Sequence, residues 1–275
     1  MPNAESKVRL GAVTYLNARP LVYGLEAHEQ FQIRYDLPSE CARLLHARET
    51  DVGLIPSIEA LRGPAGYAIV PGPAITSRGP VASVAIYTKR DLRDIRTIAM
   101  DTSSRTSVAL ASVVLKRRFH VTPEAAPMEP DLAAMLARAD AALIIGDTAL
   151  FLDHAAVGAA KIDLGEVWTD MTGLPFVYAC WTGWPGALTR EDVAALRRAR
   201  DEGVAQSNAV AAAYYPDDTP RQAVARHYLR DNIRYFFGPD EREGLKTFYR
   251  YASELDLVSF DGSLQFYDAD DAGAD

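Results

Sequence analysis

The residue types best suited to hold an acid group stand together in Asp101-Thr102-Ser103-Ser104-Arg105-Thr106-Ser107. They immediately precede the run from Val108 to Phe119, whose spacing predicts an amphipathic helix ending in Lys116, Arg117 and Arg118. The start of such a helix offers free backbone N–H groups and the positive end of its dipole, both favourable to an anion. Arg105 adds a guanidinium able to grip a carboxylate with two parallel bonds. One serine would suffice to cap the helix, so the remaining hydroxyls point to anion binding. A second polar stretch, Ile75-Thr76-Ser77-Arg78-Gly79-Pro80-Val81-Ala82-Ser83, places Gly79 for close backbone approach and Ser83 as a donor, although a surface turn would look the same. Near the N-terminus Tyr15-Leu16-Asn17-Ala18-Arg19-Pro20 interrupts an apolar run. Asn17 is either a turn residue or an amide that donates and accepts in a cleft, and residue chemistry leaves the two equal. Pro56-Ser57-Ile58-Glu59 and Gly146-Asp147-Thr148 are weaker candidates; Glu59 or Asp147 can act as a base or cap the next segment.

The elements that must position these groups follow one order twice. Val8 to Val13 reads as a strand, followed by the loop bearing Asn17 and a helix from about Pro20. Ser39 stands where it can cap a helix from Glu40 to His46, and Val52 to Ile55 is a short buried strand ending at Pro56-Ser57. Further on, Thr97 to Met100 is a strand, Val108 to Phe119 and Asp131 to Arg138 are helices, and Ala141 to Ile145 is a buried strand. Ile98 follows Val8, and Ile145 follows Ile55, by the same 90 positions, which argues for a duplicated architecture. Two α/β lobes of this kind point their strand tips at a shared cleft. The extended stretches Val81 to Tyr87 and Pro175 to Trp181 are expected to cross between the lobes. They divide the chain into residues 1–86 with 181–275, and residues 87–180. After Gly186 the pattern turns wholly helical, over Arg190 to Ala205, Arg221 to Arg234 and Pro239 to Leu255. The aromatic residues there (Tyr228, Tyr235, Phe236, Phe237, Phe248, Tyr249 and Tyr251) read as packing rather than a base-stacking platform.

Composition narrows the function classes. A chain of 275 residues with 48% hydrophobic content is globular and buries a sizeable core. A net charge of -8 argues against a general nucleic-acid binder, and part of it sits in the tail from Asp268 to Asp275. No GxGxxG, Walker, HExxH or GxSxG sequence occurs, and the five histidines, His28, His46, His120, His154 and His227, lie away from the strand tips. Cys41 and Cys180 are expected to be buried, reduced thiols. With no signal-peptide pattern in Met1 to Lys7 and no apolar run of membrane-spanning length, the chain reads as a cytoplasmic protein without a membrane or nucleic-acid partner.

Five motifs in this order carry a resemblance: Tyr15-Leu16-Asn17 with Pro20, Leu54-Ile55-Pro56-Ser57-Ile58-Glu59, Asp101 to Ser107, Ile145-Gly146-Asp147, and Thr172-Gly173-Leu174-Pro175-Phe176-Val177-Tyr178. Together they resemble the chorismate dehydratase family, which opens the futalosine route to menaquinone, from about Val8 to about Leu257. The resemblance implies a two-lobed, type II periplasmic-binding-protein-like α/β fold with an inter-lobe cleft and C-terminal helices. It implies loss of water from chorismate to give 3-[(1-carboxyvinyl)oxy]benzoate, with no metal or organic cofactor. Asn17 matches the family's active-site asparagine, so it is expected to be catalytic. Ser83 and Ser104-Arg105-Thr106-Ser107 fall on substrate-binding positions, and Tyr15, Ser57, Gly146 and Asp147 are taken as further substrate contacts. The sister 1,4-dihydroxy-6-naphthoate synthase carries a Ser-Pro-Cys-Pro-Asn-Asp type of first loop and a catalytic histidine. Thr14-Tyr15-Leu16-Asn17 departs from that pattern, and no histidine lies near the matched motifs. The rival from another class is a cytoplasmic binding protein or sensor for a small carboxylate, because the fold mostly binds.

Overall fold

A computed structural model describes residues 7–63 and 66–267, so the acidic tail from Asp268 and the residues before Lys7 lie outside it. The chain begins with β1 (Val8–Val13), β2 (Phe31–Asp36), α1 (Pro38–His46), β3 (Val52–Pro56), the short α2 (Glu59–Arg62) and β4 (Ala68–Ser77). It crosses to β5 (Val84–Thr88) and continues through β6 (Thr97–Asp101), α3 (Thr106–Arg118), β7 (Glu124–Met128) and α4 (Leu132–Leu136). Next come β8 (Ala141–Ile145), α5 (Gly146–Phe151), β9 (Ala160–Asp163) and α6 (Leu164–Thr172). The return leg holds β10 (Phe176–Gly183), α7 (Arg190–Ala205), α8 (Ser207–Tyr214), α9 (Thr219–His227), β11 (Arg234–Phe237) and α10 (Pro239–Ser253).

Two sheets result, in the orders β2-β1-β3-β10-β4-β11 and β7-β6-β8-β5-β9. In the first, β1 runs parallel to β2 and β3, and β10 lies antiparallel between β3 and β4. The second repeats this arrangement, with β6 parallel to β7 and β8, and β5 antiparallel between β8 and β9. The repeat seen at 90 positions is therefore one of topology as well as pattern. β3 and β8 are buried at every position, as continuous apolar runs covered on both faces should be. Cys41 and Cys180 are buried and unpaired, and burial pushes their thiols up to about 12 and about 11.

Four expectations need correction. The proposed crossing strands are not shared between sheets: β5 belongs wholly to the second sheet and β10 wholly to the first. The crossings lie ahead of those strands, after Ser77 and after Asp163, and each delivers the antiparallel strand of the sheet it enters. The loop after β1 forms a 3₁₀ turn, Leu16–Val22, instead of a helix from Pro20. Pro20 removes a backbone donor, and Gly24 turns the chain left-handed (φ +73°) between this turn and a second, short 3₁₀ turn at Leu25–Ala27. Ser39 does not cap α1, because Pro38 occupies the first turn and the cap position falls on Leu37, which makes no side-chain cap. Finally, the C-terminal layer is not wholly helical. Arg234–Phe237 alternates exposed and buried positions, a period of two, and pairs antiparallel with β4.

Candidate active site

The C-terminal ends of β1, β3, β6 and β8 converge on a small cleft between the two sheets, partly open to solvent. Val13, Pro56 and Ile145 mark three of those ends in its wall and Ser104 follows the fourth, while Ile75, Val84, Tyr178 and Ala179 line it from β4, β5 and β10, with Ser83 just ahead of β5. Ligand sites of open α/β sheets form at such strand tips.

Asn17 reaches this cleft from the 3₁₀ turn after β1. That turn is held against α7 by a close backbone approach: a Cβ on Gly203 would lie 2.0 Å from the Pro20 carbonyl oxygen. Asn17 Nδ2 donates to the Tyr228 hydroxyl at 3.1 Å, and that hydroxyl lies 2.7 Å from Ser83 Oγ. Asn17 Oδ1 is buried without a hydrogen-bond partner. Burial raises the Tyr228 phenol well above its ordinary pKa, so it stays protonated. By sequence alone Tyr228 reads as one of the packing aromatics. Nothing in its spacing sets it apart, because its role depends on a fold that brings residue 228 beside residues 17 and 83.

On the opposite wall, Asp101 at the end of β6 shapes the hydroxyl-rich stretch. Its Oδ1 accepts from Ser103 N–H (2.9 Å) and Ser103 Oγ (2.6 Å), and its Oδ2 accepts from Ile145 N–H (3.2 Å). Ser103 Oγ in turn accepts from the Tyr15 hydroxyl at 3.0 Å. Burial pushes the Tyr15 phenol up to about 12. The cap position of α3 is Arg105, with no side-chain cap bond, so no serine is spent on capping. The first N–H groups of α3 have no carbonyl within the helix to receive them. Thr106 Oγ1 accepts from Ile58 N–H at 3.2 Å, while Ser104, Arg105, Thr106 and Ser107 all line the cleft. The Arg105 side chain is exposed, and among the described residues no carboxylate pairs with it.

Three candidates lie just outside the wall. Ser57 Oγ donates to the Val177 carbonyl at 2.8 Å and sits 3.4 Å from Thr106 Oγ1, so it supports the wall from behind. Asp147 accepts from Leu16 N–H at 3.2 and 3.3 Å and from the Tyr214 hydroxyl at 2.7 Å. It thereby ties α5 to the other sheet's loop and helices. Burial outweighs those donors and raises its carboxyl above the usual range. Glu59 faces away, paired with His46 and Arg62, each at 3.1 Å. Gly146 does line the cleft. Its φ of +65° and a would-be Cβ 2.8 Å from the Tyr15 ring leave no room for a side chain.

The wall thus contains one charged side chain, Arg105, with no carboxylate and no histidine among its described residues. No three His, Cys, Asp or Glu side chains among the described residues converge as a metal site would need. No helix among them is long and apolar enough to cross a membrane.

Comparison with known proteins gives a family and a fold. The family described as menaquinone biosynthesis matches residues 8–254. The chain is 32% identical over 260 residues to the chorismate dehydratase of Thermus thermophilus, covering 87% of this chain and 93% of that protein. Among solved structures, a protein from Archaeoglobus fulgidus superposes with a TM-score of 0.74 at 18% identity, covering 93% of this chain and all of that one. The periplasmic aliphatic sulphonate binding protein SsuA from Escherichia coli gives 0.59 at 15% identity, covering 94% and 95% of the two chains. At those identities the likeness is one of fold, a two-lobed periplasmic-binding-protein-like architecture.

Proposed function

The chain belongs to the menaquinone-biosynthesis family, and from that premise we propose that it is a hydro-lyase acting on chorismate, expelling water to give 3-[(1-carboxyvinyl)oxy]benzoate. The observation that carries this reading is the pairing of a lone cation at a helix start with an otherwise neutral wall. Chorismate bears two carboxylates. Arg105 and the free N–H groups of α3 suit one of them, and Asn17 and Ser83 suit the polar atoms across the cleft.

The chemistry asks little of the protein beyond this. Loss of the ring proton from the ether-bearing carbon sends charge through the diene to the ring carboxylate, where fixed donors help most. Departure of the neighbouring hydroxyl then leaves an aromatic ring, so positioning is the main requirement. With no carboxylate or histidine in the wall, the enolpyruvyl carboxylate of the substrate takes the proton. It can pass that proton to the departing hydroxide, and water leaves. Asn17 is the catalytic residue of this reading. Ser83, Ser104, Arg105, Thr106, Ser107, Tyr15 and Gly146 shape the binding wall, and Ser57 and Asp147 act from behind it. The same reading takes residues up to Ser77 with those from Phe176 as one lobe and residues 84–163 as the other. The two buried, unpaired cysteines fit a reducing, cytoplasmic setting.

The test is direct. Purified protein mixed with chorismate, without added metal, should yield the aromatic ether, followed by absorbance and mass spectrometry. Chorismate that binds but is recovered unchanged over hours would make the protein a carboxylate sensor instead. Chorismate methylated at the enolpyruvyl carboxylate should bind without turning over. Normal turnover of that ester would move the base to the protein.

A further inference from the structure

Tyr228 is a fully buried residue whose ring a phenylalanine would replace without loss of volume, yet it carries a hydroxyl into the site. A buried hydroxyl is costly unless bonded, and this one is bonded on both sides, to Asn17 Nδ2 at 3.1 Å and Ser83 Oγ at 2.7 Å. The order of donation in this chain follows if no buried proton is left unpaired. An amide nitrogen only donates, so the Tyr228 oxygen is the acceptor of the first bond, and its single proton is left for Ser83 Oγ. Ser83 then accepts from Tyr228 and keeps its own proton free. At the other end, Asn17 Oδ1 is buried without a partner. Asn17 and Ser83 both line the cleft and Tyr228 does not. The backbone at Tyr228 is unusual as well. α9 stops at His227, and Tyr228–Asn232 forms one wide π turn in which Ile233 N–H donates to the Tyr228 carbonyl at 3.1 Å. Such turns recur at functional sites, where they set the direction of a side chain.

We infer that Tyr228 is a positioning residue for the proposed dehydration: it anchors the Asn17 amide with Oδ1 toward the substrate and turns the Ser83 proton into the cleft. The site then offers one acceptor and one donor side by side. The acceptor holds the hydroxyl that departs, and the donor meets the ether or carboxylate oxygen beside it. This inference rests on the dehydratase reading and deepens it.

Tyr228→Phe tests it, because the ring is kept and folding can be checked by thermal melting. Loss of one well-placed hydrogen bond should lower kcat by about tenfold to a hundredfold, with KM moving less than about threefold. Action through Asn17 predicts non-additivity: in an Asn17→Ala background, Tyr228→Phe should cost clearly less than in wild type, the remainder being its effect through Ser83. Equal factors in both backgrounds, or a near-normal kcat in Tyr228→Phe, would overturn the inference. The wiring is also read without turnover. The side-chain amide signal of Asn17 in a 15N-labelled protein, identified by its loss in Asn17→Ala, should shift in Tyr228→Phe and exchange faster with water. An unmoved signal overturns the wiring. A wild-type protein inert toward chorismate overturns the dehydratase reading instead, and the amide signal then decides the wiring alone.

Discussion

In the proposed reading Arg105 and Asn17 divide the work of the cleft between charge and shape, and substitution should separate them. Arg105 is exposed and lines the cleft from the start of α3, and the proposed reading gives it a carboxylate contact made alike in the ground and transition states. Arg105→Ala should therefore raise KM more than it lowers kcat in steady-state assays; an unchanged KM would assign the guanidinium no part in binding. Asn17 should behave in the opposite way. Asn17→Ala should fold and still bind product, but lose about a hundredfold or more in kcat. Asn17→Asp keeps the shape while setting a negative charge against a dianionic substrate, and should lose nearly all turnover. A near-normal kcat in Asn17→Ala would return Asn17 to the role of a turn residue. The stretch around Arg105 stands out in the sequence because spare hydroxyls before a helix are unusual, whereas residue chemistry left Asn17 open and the family resemblance alone singled it out. Tyr228 was not legible, since a tyrosine among six other aromatics carries no mark of the bond its hydroxyl makes.

At the scale of elements, the strands and their tips followed from apolar runs broken by Pro, Gly and polar residues, and β1, β3, β6 and β8 end close to where those runs end. The misread segments were those whose form depends on distant neighbours. β11 exists because β4 offers it an edge, and the 3₁₀ turn bearing Asn17 exists because α7 packs against it. Gly203 is the point where that packing can be tested. Ala in place of Gly within an exposed helix normally stabilises by about 1 kcal/mol. Here the added methyl would meet the Pro20 backbone, with its Cβ 2.0 Å from the carbonyl oxygen. Gly203→Ala should therefore lower Tm and displace the Asn17 turn, reducing kcat more than product affinity. A raised Tm with normal kcat would show that α7 does not set the position of the turn.

Across the whole molecule, the repeat of 90 positions made two lobes legible, but not what holds them together. Asp147 performs much of that task, accepting from Leu16 N–H and Tyr214 OH across the cleft. Arg19 lies near enough to favour its charge, yet burial dominates and its pKa is raised. A carboxyl with a raised native pKa binds its proton more tightly folded than unfolded. Its contribution to stability is full below the unfolded value of about 4 and is lost as pH rises through the higher folded value. Asn cannot ionise, so the Tm of Asp147→Asn relative to wild type should climb as pH rises above the unfolded value of about 4. A flat or falling difference would mean that the charged form is not penalised.

The same clasp bears on lobe movement, which ligand binding can test. Bonds from Tyr15 to Ser103, Leu16 to Asp147 and Ile58 to Thr106 already join the two sheets without a ligand. Opening of the lobes to admit a substrate the size of chorismate would break some of them, and a dicarboxylate reaching from Arg105 to Asn17 should favour their return. A ligand shifts such an equilibrium only by binding one state better than the other, and a bridging ligand meets that condition because only the closed form presents both walls at once. Asp147→Ala removes the acceptor of both donors at the rim without touching the cleft wall. Small-angle scattering should therefore show Asp147→Ala more extended than wild type when free, and contracted toward it at saturating 3-[(1-carboxyvinyl)oxy]benzoate. Profiles of the variant that match wild type and do not respond to product would mean that the lobes do not move about the two crossings, and the cleft would have to fill through its solvent-open side with the sheets fixed.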